Sequence, residues 1–249
     1  MHSIQFRHGL SRCLGRYFTS SLAKPMTSTN LDPVQEESLK ENCLLVDRND
    51  KVVGVASKKE CHLVKKDGSL PLHRAFSVFL FDQKGDLLLQ KRASTKITYP
   101  NCFTNTCCSH PIHDVYGEQD EENAIGVIRA AQRRLNYELG ISRNQIPVDK
   151  FKYLTRIIYK DVGDGVWGEH ELDYILFIQT QVDLNPNLNE VSELHYVSKE
   201  NLPALLPTLS GPLTPWFELI LKYKLFLWWN NLNNLDAFKD HVNITILEK

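Results

Sequence analysis

The chain has 249 residues, 42% hydrophobic and 24% charged, enough for one sizeable buried core. Its formal net charge is -1 with no long run of like charge, which disfavours nucleic acid as a partner. No apolar stretch approaches about 18 residues, so no membrane insertion is expected, and six scattered cysteines without a CxxC fit a reduced, intracellular protein.

Residues 1–29 differ from the rest. They carry Arg7, Arg12, Arg16 and Lys24, several Ser and Thr, and no acid before Asp32. An acid-free, Arg- and Ser-rich start has the character of a mitochondrial presequence. Arg16-Tyr17-Phe18 before Thr19 and Ser20 resembles a matrix-protease cleavage site. A disordered basic tail is the plainer reading, and a start at Met26 would leave a cytoplasmic protein. The chain therefore divides into an extension, 1–29, and one folded domain, 30–249.

In chain order, CLLVD (43–47) and VVGVA (52–56) flank a polar turn and predict a hairpin. AFSVFLFD (75–82) and DLLLQKR (86–92) flank Gln-Lys-Gly and predict a second. From Glu121 to Leu139, apolar residues recur at helical spacing, with Gly140 as a C-cap. FKYLTRIIY (151–159) and ELDYILFIQT (171–180) read as strands around the Gly-rich turn VGDGVWG. A helix is expected near Ser198, and a last one from Pro215 carries an aromatic run to Trp229. Glu218, Lys222 and Lys224 break that run, which makes it a core-facing amphipathic helix. Strands early, one long helix mid-chain and helices at the close give an α/β (α+β) domain around a mixed β-sheet.

Several residues can carry chemistry. Glu169 and Glu171 sit at i and i+2, so on a strand both face one way, and two like charges side by side need a cation or a shared proton. His62, His73 and His110 lie in three segments, each at the start or end of a predicted strand. Together with the two acids they would suit a six-coordinate divalent ion; spacing alone leaves them equally well as structural histidines. Lys58, Arg92, Lys96 and Arg134 would bind phosphate if clustered and are surface charges if not. Cys108 lies two residues before His110; it can be a proton donor, a metal ligand, a nucleophile paired with histidine as in thiol proteases, or a buried small apolar residue.

Arg133-Arg134-Leu135-Asn136-Tyr137-Glu138-Leu139-Gly140-Ile141 resembles the second half of the Nudix box, with Arg134, Tyr137 and, upstream, Ile125 where that box has glutamates. This looks like a Nudix fold, a mixed sheet sandwiched between helices, that has lost its hydrolase metal cluster. A Nudix diphosphate hydrolase and a non-catalytic diphosphate-binding module are the remaining rivals.

HRAFSVFLF (73–81), TNTCCSHP (104–111), RRLNYELG (133–140), WGEHELDYIL (167–176) and TPWF (214–217) closely resemble type I isopentenyl-diphosphate Δ-isomerases over about residues 35–240. Tyr99-Pro100-Asn101 departs from the family's Phe-Pro-Gly. The resemblance implies isomerisation of isopentenyl diphosphate to dimethylallyl diphosphate by protonation and deprotonation, in isoprenoid biosynthesis. It implies catalysis by Cys108 and Glu171, with Tyr159 partnering the acid. It implies a divalent ion (Mg2+, Mn2+ or Zn2+) on His62, His73, His110, Glu169 and Glu171. A second magnesium is implied near Glu138, with diphosphate contacts from Lys58, Arg92, Lys96 and Ser109, and Trp216 as an aromatic wall. From these chemistries, Glu171 with Tyr159 is expected to give the proton and Cys108, as thiolate, to take one. A monomer is expected, since no coiled-coil heptads occur.

Overall fold

A computed structural model describes residues 31–248. The presequence-like stretch 1–29 and the alternative start at Met26 lie outside the described residues. In chain order the elements are α1 (Pro33–Ser38), β1 (Asn42–Val46), β2 (Val52–Ser57), α2 (Lys58–His62), β3 (His73–Phe81), β4 (Leu87–Arg92), β5 (Phe103–Thr104), β6 (Cys107–Ser109), α3 (Ile125–Leu139), β7 (Lys152–Asp161), β8 (Glu169–Gln179), β9 (Val191–Val197), α4 (Leu202–Leu205), α5 (Pro215–Ile220), α6 (Phe226–Trp229) and β10 (Asp240–Ile246).

The strands run in the order β10-β7-β8-β3-β1-β2. β3 is the hub. One edge pairs in parallel with β8 along its whole length, from His73 opposite Glu171 to Phe81 opposite Gln179. Its other edge is divided among three partners: β1 at His73, β6 at Phe76 to Val78, and β4 at Phe81. All nine β3 residues are buried, which explains why HRAFSVFLF is largely apolar, with His73, Arg74 and Ser77 as its polar exceptions.

Alternation along β3 and β8 sends side chains to two faces. On one face Phe76, Val78, Leu80, Leu172 and Leu176 pack with Val127, Ile128, Ala131 and Leu135 of α3. On the other, Phe79, Phe81, Ile175 and Phe177 pack with Trp216, Phe217, Ile220 and Trp228. Each fully buried side chain of this size contributes roughly 1.5–3 kcal/mol. The expected sheet between helices is therefore present. α3 ends at Gly140 in the left-handed region (φ +67°), where a Cβ would meet Asn185 O at 2.5 Å.

Four expectations are corrected. The second hairpin pairs only at Phe81 and Leu87; beyond that turn β4 leaves to pair with β9 and β5, and β6 takes its place beside β3. The long helix starts at Ile125, because Asn123 and Ala124 have positive φ and close a 3-10 turn first. The helix placed near Ser198 is a single turn, Leu202–Leu205. Helices do not close the chain: β10 follows them and pairs in parallel with β7. The aromatic run from Pro215 is helical with one π turn at Leu221–Leu225, and no helix among the described residues is long and apolar enough to cross a membrane.

Candidate active site

Strand register assembles the centre. Glu171 of β8 lies opposite His73 of β3 on one side and Tyr159 of β7 on the other. Cys108 of β6 lies opposite Ser77 of β3. His110 follows β6 two residues after Cys108. His62 ends α2, a five-residue helix started by a capping box between Ser57 and Glu60. It thus sits on a helix, not at a strand end as the sequence suggested. Ser57-x-x-Glu60 was the signal that could have found it.

The three imidazole rings form a near-equilateral triangle, with centroids 4.9, 5.0 and 4.9 Å apart. Glu169 and Glu171 close it. One donor atom from each of the five residues lies within 4.8 Å of every other. His170, between the two acids, points to the opposite face and bonds Leu70 O.

The donor set fits a divalent cation. His62 Nδ1 lies 2.6 Å from Lys58 O and His73 Nδ1 lies 3.1 Å from Pro71 O. A carbonyl only accepts, so each Nδ1 carries its hydrogen and each Nε2 faces inward. His62 Nε2 sits 2.9 Å from Glu169 Oε2, yet that oxygen has no hydrogen-bond partner among the described residues. His73 and His110 Nε2 are 3.2 Å apart, and His110 Nε2 is 2.8 Å from Glu171 Oε1. Lone pairs converge here without enough hydrogens between them, and a cation relieves that.

Charge states follow. Burial depresses His62 and His110 to about 3. Burial works against His73 too, but the Glu171 carboxylate 3.6 Å away raises it to about 9. Glu169 is pushed above the ordinary carboxylate range by burial and by Glu171. Burial works against Glu171, but the His110 contact at 2.8 Å and the nearby His73 hold it well below that range. Tyr159 donates to Glu171 Oε2, and burial raises its phenol further.

Cys108 faces this group across the same pocket. Its Sγ donates to Asn105 Oδ1 at 3.1 Å, accepts from Trp216 Nε1 at 3.1 Å and lies 3.3 Å from Ser77 Oγ. Burial, then the nearby Asp173 charge, push its thiol well above the ordinary range. Cys107 is fully buried on the opposite face, against α3, as the alternation of an extended segment requires.

The pocket's other wall is basic. Lys58, Arg92, Lys96, Ser109 and Arg134 all line it. Arg92 is aimed by bonds to the Thr98 and Tyr99 carbonyls and stacks 5.7 Å from the Trp216 ring. Lys96 pairs with Glu190 at 2.7 Å; burial, with Arg92, Lys58 and Arg134 near, draws it down to about 8 despite that acid. Arg134 is engaged by Glu138 at 2.7 Å and Glu190 at 3.1 Å. Glu138 stands apart from the five-residue cluster and also accepts from Gln90. About 40 Å3 of free space remains between these walls.

Of the candidate site residues, all but His73 and Glu138 line this pocket, and those two contact the lining residues Glu171 and Arg134. The buried polar neighbours Ser77, Asn105, Asp173, Gln35 and Glu190 were not singled out. Ser77 and Asp173 read as strand residues among apolar ones, and nothing in the sequence marks Glu190.

Comparison with known proteins agrees. The NUDIX domain family matches residues 71–217. The chain is 50% identical over 222 residues to Isopentenyl-diphosphate Delta-isomerase 1 of Mesocricetus auratus, covering 88% of this chain and 97% of that one. It is 50% identical over 224 residues to the Bos taurus protein of that name, covering 88% and 98%. It is 46% identical over 231 residues to Isopentenyl-diphosphate Delta-isomerase I of Clarkia breweri, covering 90% and 80%.

Proposed function

The chain belongs to the isopentenyl-diphosphate Δ-isomerases, a family within the Nudix superfamily, and from that premise we propose how its pocket shifts a double bond. The reaction interconverts isopentenyl and dimethylallyl diphosphate in isoprenoid biosynthesis. A proton is added at the terminal methylene, a tertiary carbocation forms, and a proton leaves the carbon next to the oxygen-bearing one. Two proton-carrying groups on either side of the isoprenyl unit are needed.

Glu171 with Tyr159, and Cys108 opposite them, are those groups. The observation that carries this reading is that all three line one pocket with the basic wall beside them. In the forward direction the Glu171–Tyr159 side gives the proton and Cys108 receives one. A forward turnover leaves a thiol at Cys108 and a carboxylate at Glu171. Those are the charge states favoured by the surroundings of each group. The reverse reaction starts from them directly; another forward turnover first needs one proton moved from sulfur to carboxylate.

Lys58, Arg92, Lys96 and Ser109 hold the diphosphate, with Arg134 available when it leaves one of its two acids. Trp216 faces the cation; a desolvated cation–π contact contributes about 2 kcal/mol. Closed walls keep water from quenching the carbocation. A divalent ion held by His62, His73, His110, Glu169 and Glu171 would supply positive charge that offsets the two buried carboxylates. Three imidazoles favour Mn2+ or Zn2+ there, whereas oxygen-seeking Mg2+ suits Glu138 and the diphosphate. A Cys-His nucleophile is disfavoured, because His110 Nε2 meets Glu171 and, among the described residues, the sulfur's polar partners are Asn105, Trp216 and Ser77.

The test is NMR of isopentenyl diphosphate in deuterated water. Deuterium-bearing dimethylallyl diphosphate is expected with the metal-loaded protein. Cys108→Ala is expected to slow its formation about 10²–10⁴-fold, and a chelator to stop it. Unchanged turnover by Cys108→Ala, or release of inorganic phosphate, would sink the reading. For residues 1–29 we infer a mitochondrial address, with the cytoplasm served by a start at Met26. Fluorescent fusions of the two lengths should separate between those compartments; identical distributions would refute it.

A further inference from the structure

Ser77 is 1% exposed and sits on β3 between Ala75 and Phe79, on the apolar face. A hydroxyl there, bonded to a buried acid, is costly compared with an apolar pair. Its Oγ lies 2.7 Å from Asp173 Oδ2 and 3.3 Å from Cys108 Sγ. Asp173 is 1% exposed, and its other carboxylate oxygen has no partner among the described residues. Ser77 is thus Asp173's hydrogen bond and Cys108's neighbour at once.

The sulfur's other two polar contacts work in one direction only. Asn105 gives its amide hydrogens to Val78 O and Cys107 O, so it can offer Cys108 only an acceptor oxygen. The indole N–H of Trp216 can only donate. Asn105 thus takes the thiol's one hydrogen and Trp216 gives one to the sulfur. Ser77 Oγ, with its own hydrogen on Asp173, is the sulfur's third polar contact and the one tied to a buried acid. Removing it leaves the sulfur held by Asn105 and Trp216 alone.

We propose that Ser77, anchored by Asp173, is a positioning residue that holds the Cys108 sulfur at its place in the pocket. This rests on the reading of Cys108 as a proton carrier. Neither residue lines the pocket, so the effect belongs in turnover and not in binding.

The test compares Ser77→Ala, Asp173→Asn and the double variant in the full metal-loaded chain, measuring kcat and KM for isopentenyl diphosphate and the bound metal. Ser77→Ala is expected to lower kcat at least tenfold, with KM within twofold and metal content unchanged. The double variant should lose no more than Ser77→Ala, because the two act as one unit. A kcat within twofold of the parent, a change confined to KM, or losses that multiply would each overturn the proposal. Should Ser77→Ala not fold, Asp173→Asn decides: a threefold or larger fall in kcat at constant KM supports it, and parental kcat refutes it. Cys108→Ala run in parallel separates the two ideas. If it stays active, the Cys108 reading falls and takes this one with it. If it is inactive while Ser77→Ala matches the parent, only this proposal fails.

Discussion

At the scale of single residues, the centre behaves as a trap for positive charge. His62 and His110 are too buried to hold a proton, and His73, raised to about 9 by Glu171, holds one. A histidine whose pKa is raised on folding adds stability below its unfolded value, about 6.5, and loses it as pH rises through the folded value. Histidines depressed to about 3 take stability away as pH falls below about 6.5. The metal-free protein should therefore unfold more readily above pH 9 and below pH 6 than near pH 6.5, as a urea midpoint series would record. A divalent ion must displace the His73 proton. Metal binding at pH 7 should release at least about one proton, fading above pH 9. An indicator dye in weak buffer measures this, and no release at pH 7 would remove His73 from the ligand set. One departure read in the sequence also finds its reason at this scale. Asn101 stands where the family has glycine and adopts φ +61°, a left-handed conformation that asparagine tolerates better than other non-glycine residues. Tyr99, in place of phenylalanine, bonds Asp161 through its hydroxyl.

At the scale of elements, legibility follows burial. β3, β7 and β8 are buried on both faces and announce themselves as apolar runs. Glu169 and Glu171 on one face were readable from the two-residue period alone, and so was the split between Cys107 and Cys108. β9 and β10 were not readable. VSELHYV pairs with β4 alone among the strands, and DHVNITI pairs with β7 alone, so each carries edge-strand polarity in place of alternation. The parting of β3 from β4 was invisible for a different reason. Two strands joined by a short polar turn predict a hairpin, and only the partners waiting at β6, β8 and β9 decide otherwise. Convergence of the five metal-binding candidates belongs to the same class, since it depends on long-range register. Family resemblance supplied it, and residue spacing did not.

At the scale of the whole molecule, the division of β3's second edge opens the sheet where chemistry is needed. Both layers of helices stay packed on continuous apolar faces, while the polar end of one layer holds Cys108, Tyr159 and Glu171. The fold thus keeps its core and its reactive centre on one strand set, separated by a few residues along β3 and β8.

The space left between the walls, about 40 Å3, is close to one water molecule's share of liquid volume. A five-carbon diphosphate ester needs more room than that, so turnover includes a step in which the walls move apart to admit it. Motions of that kind run on microsecond-to-millisecond timescales and feel solvent friction, whereas proton jumps between held groups do not. Adding sucrose should slow kcat/KM roughly in proportion to relative viscosity while the deuterium pattern of the product stays the same. Rates indifferent to viscosity would mean that chemistry, and not the opening of the shell, sets the pace.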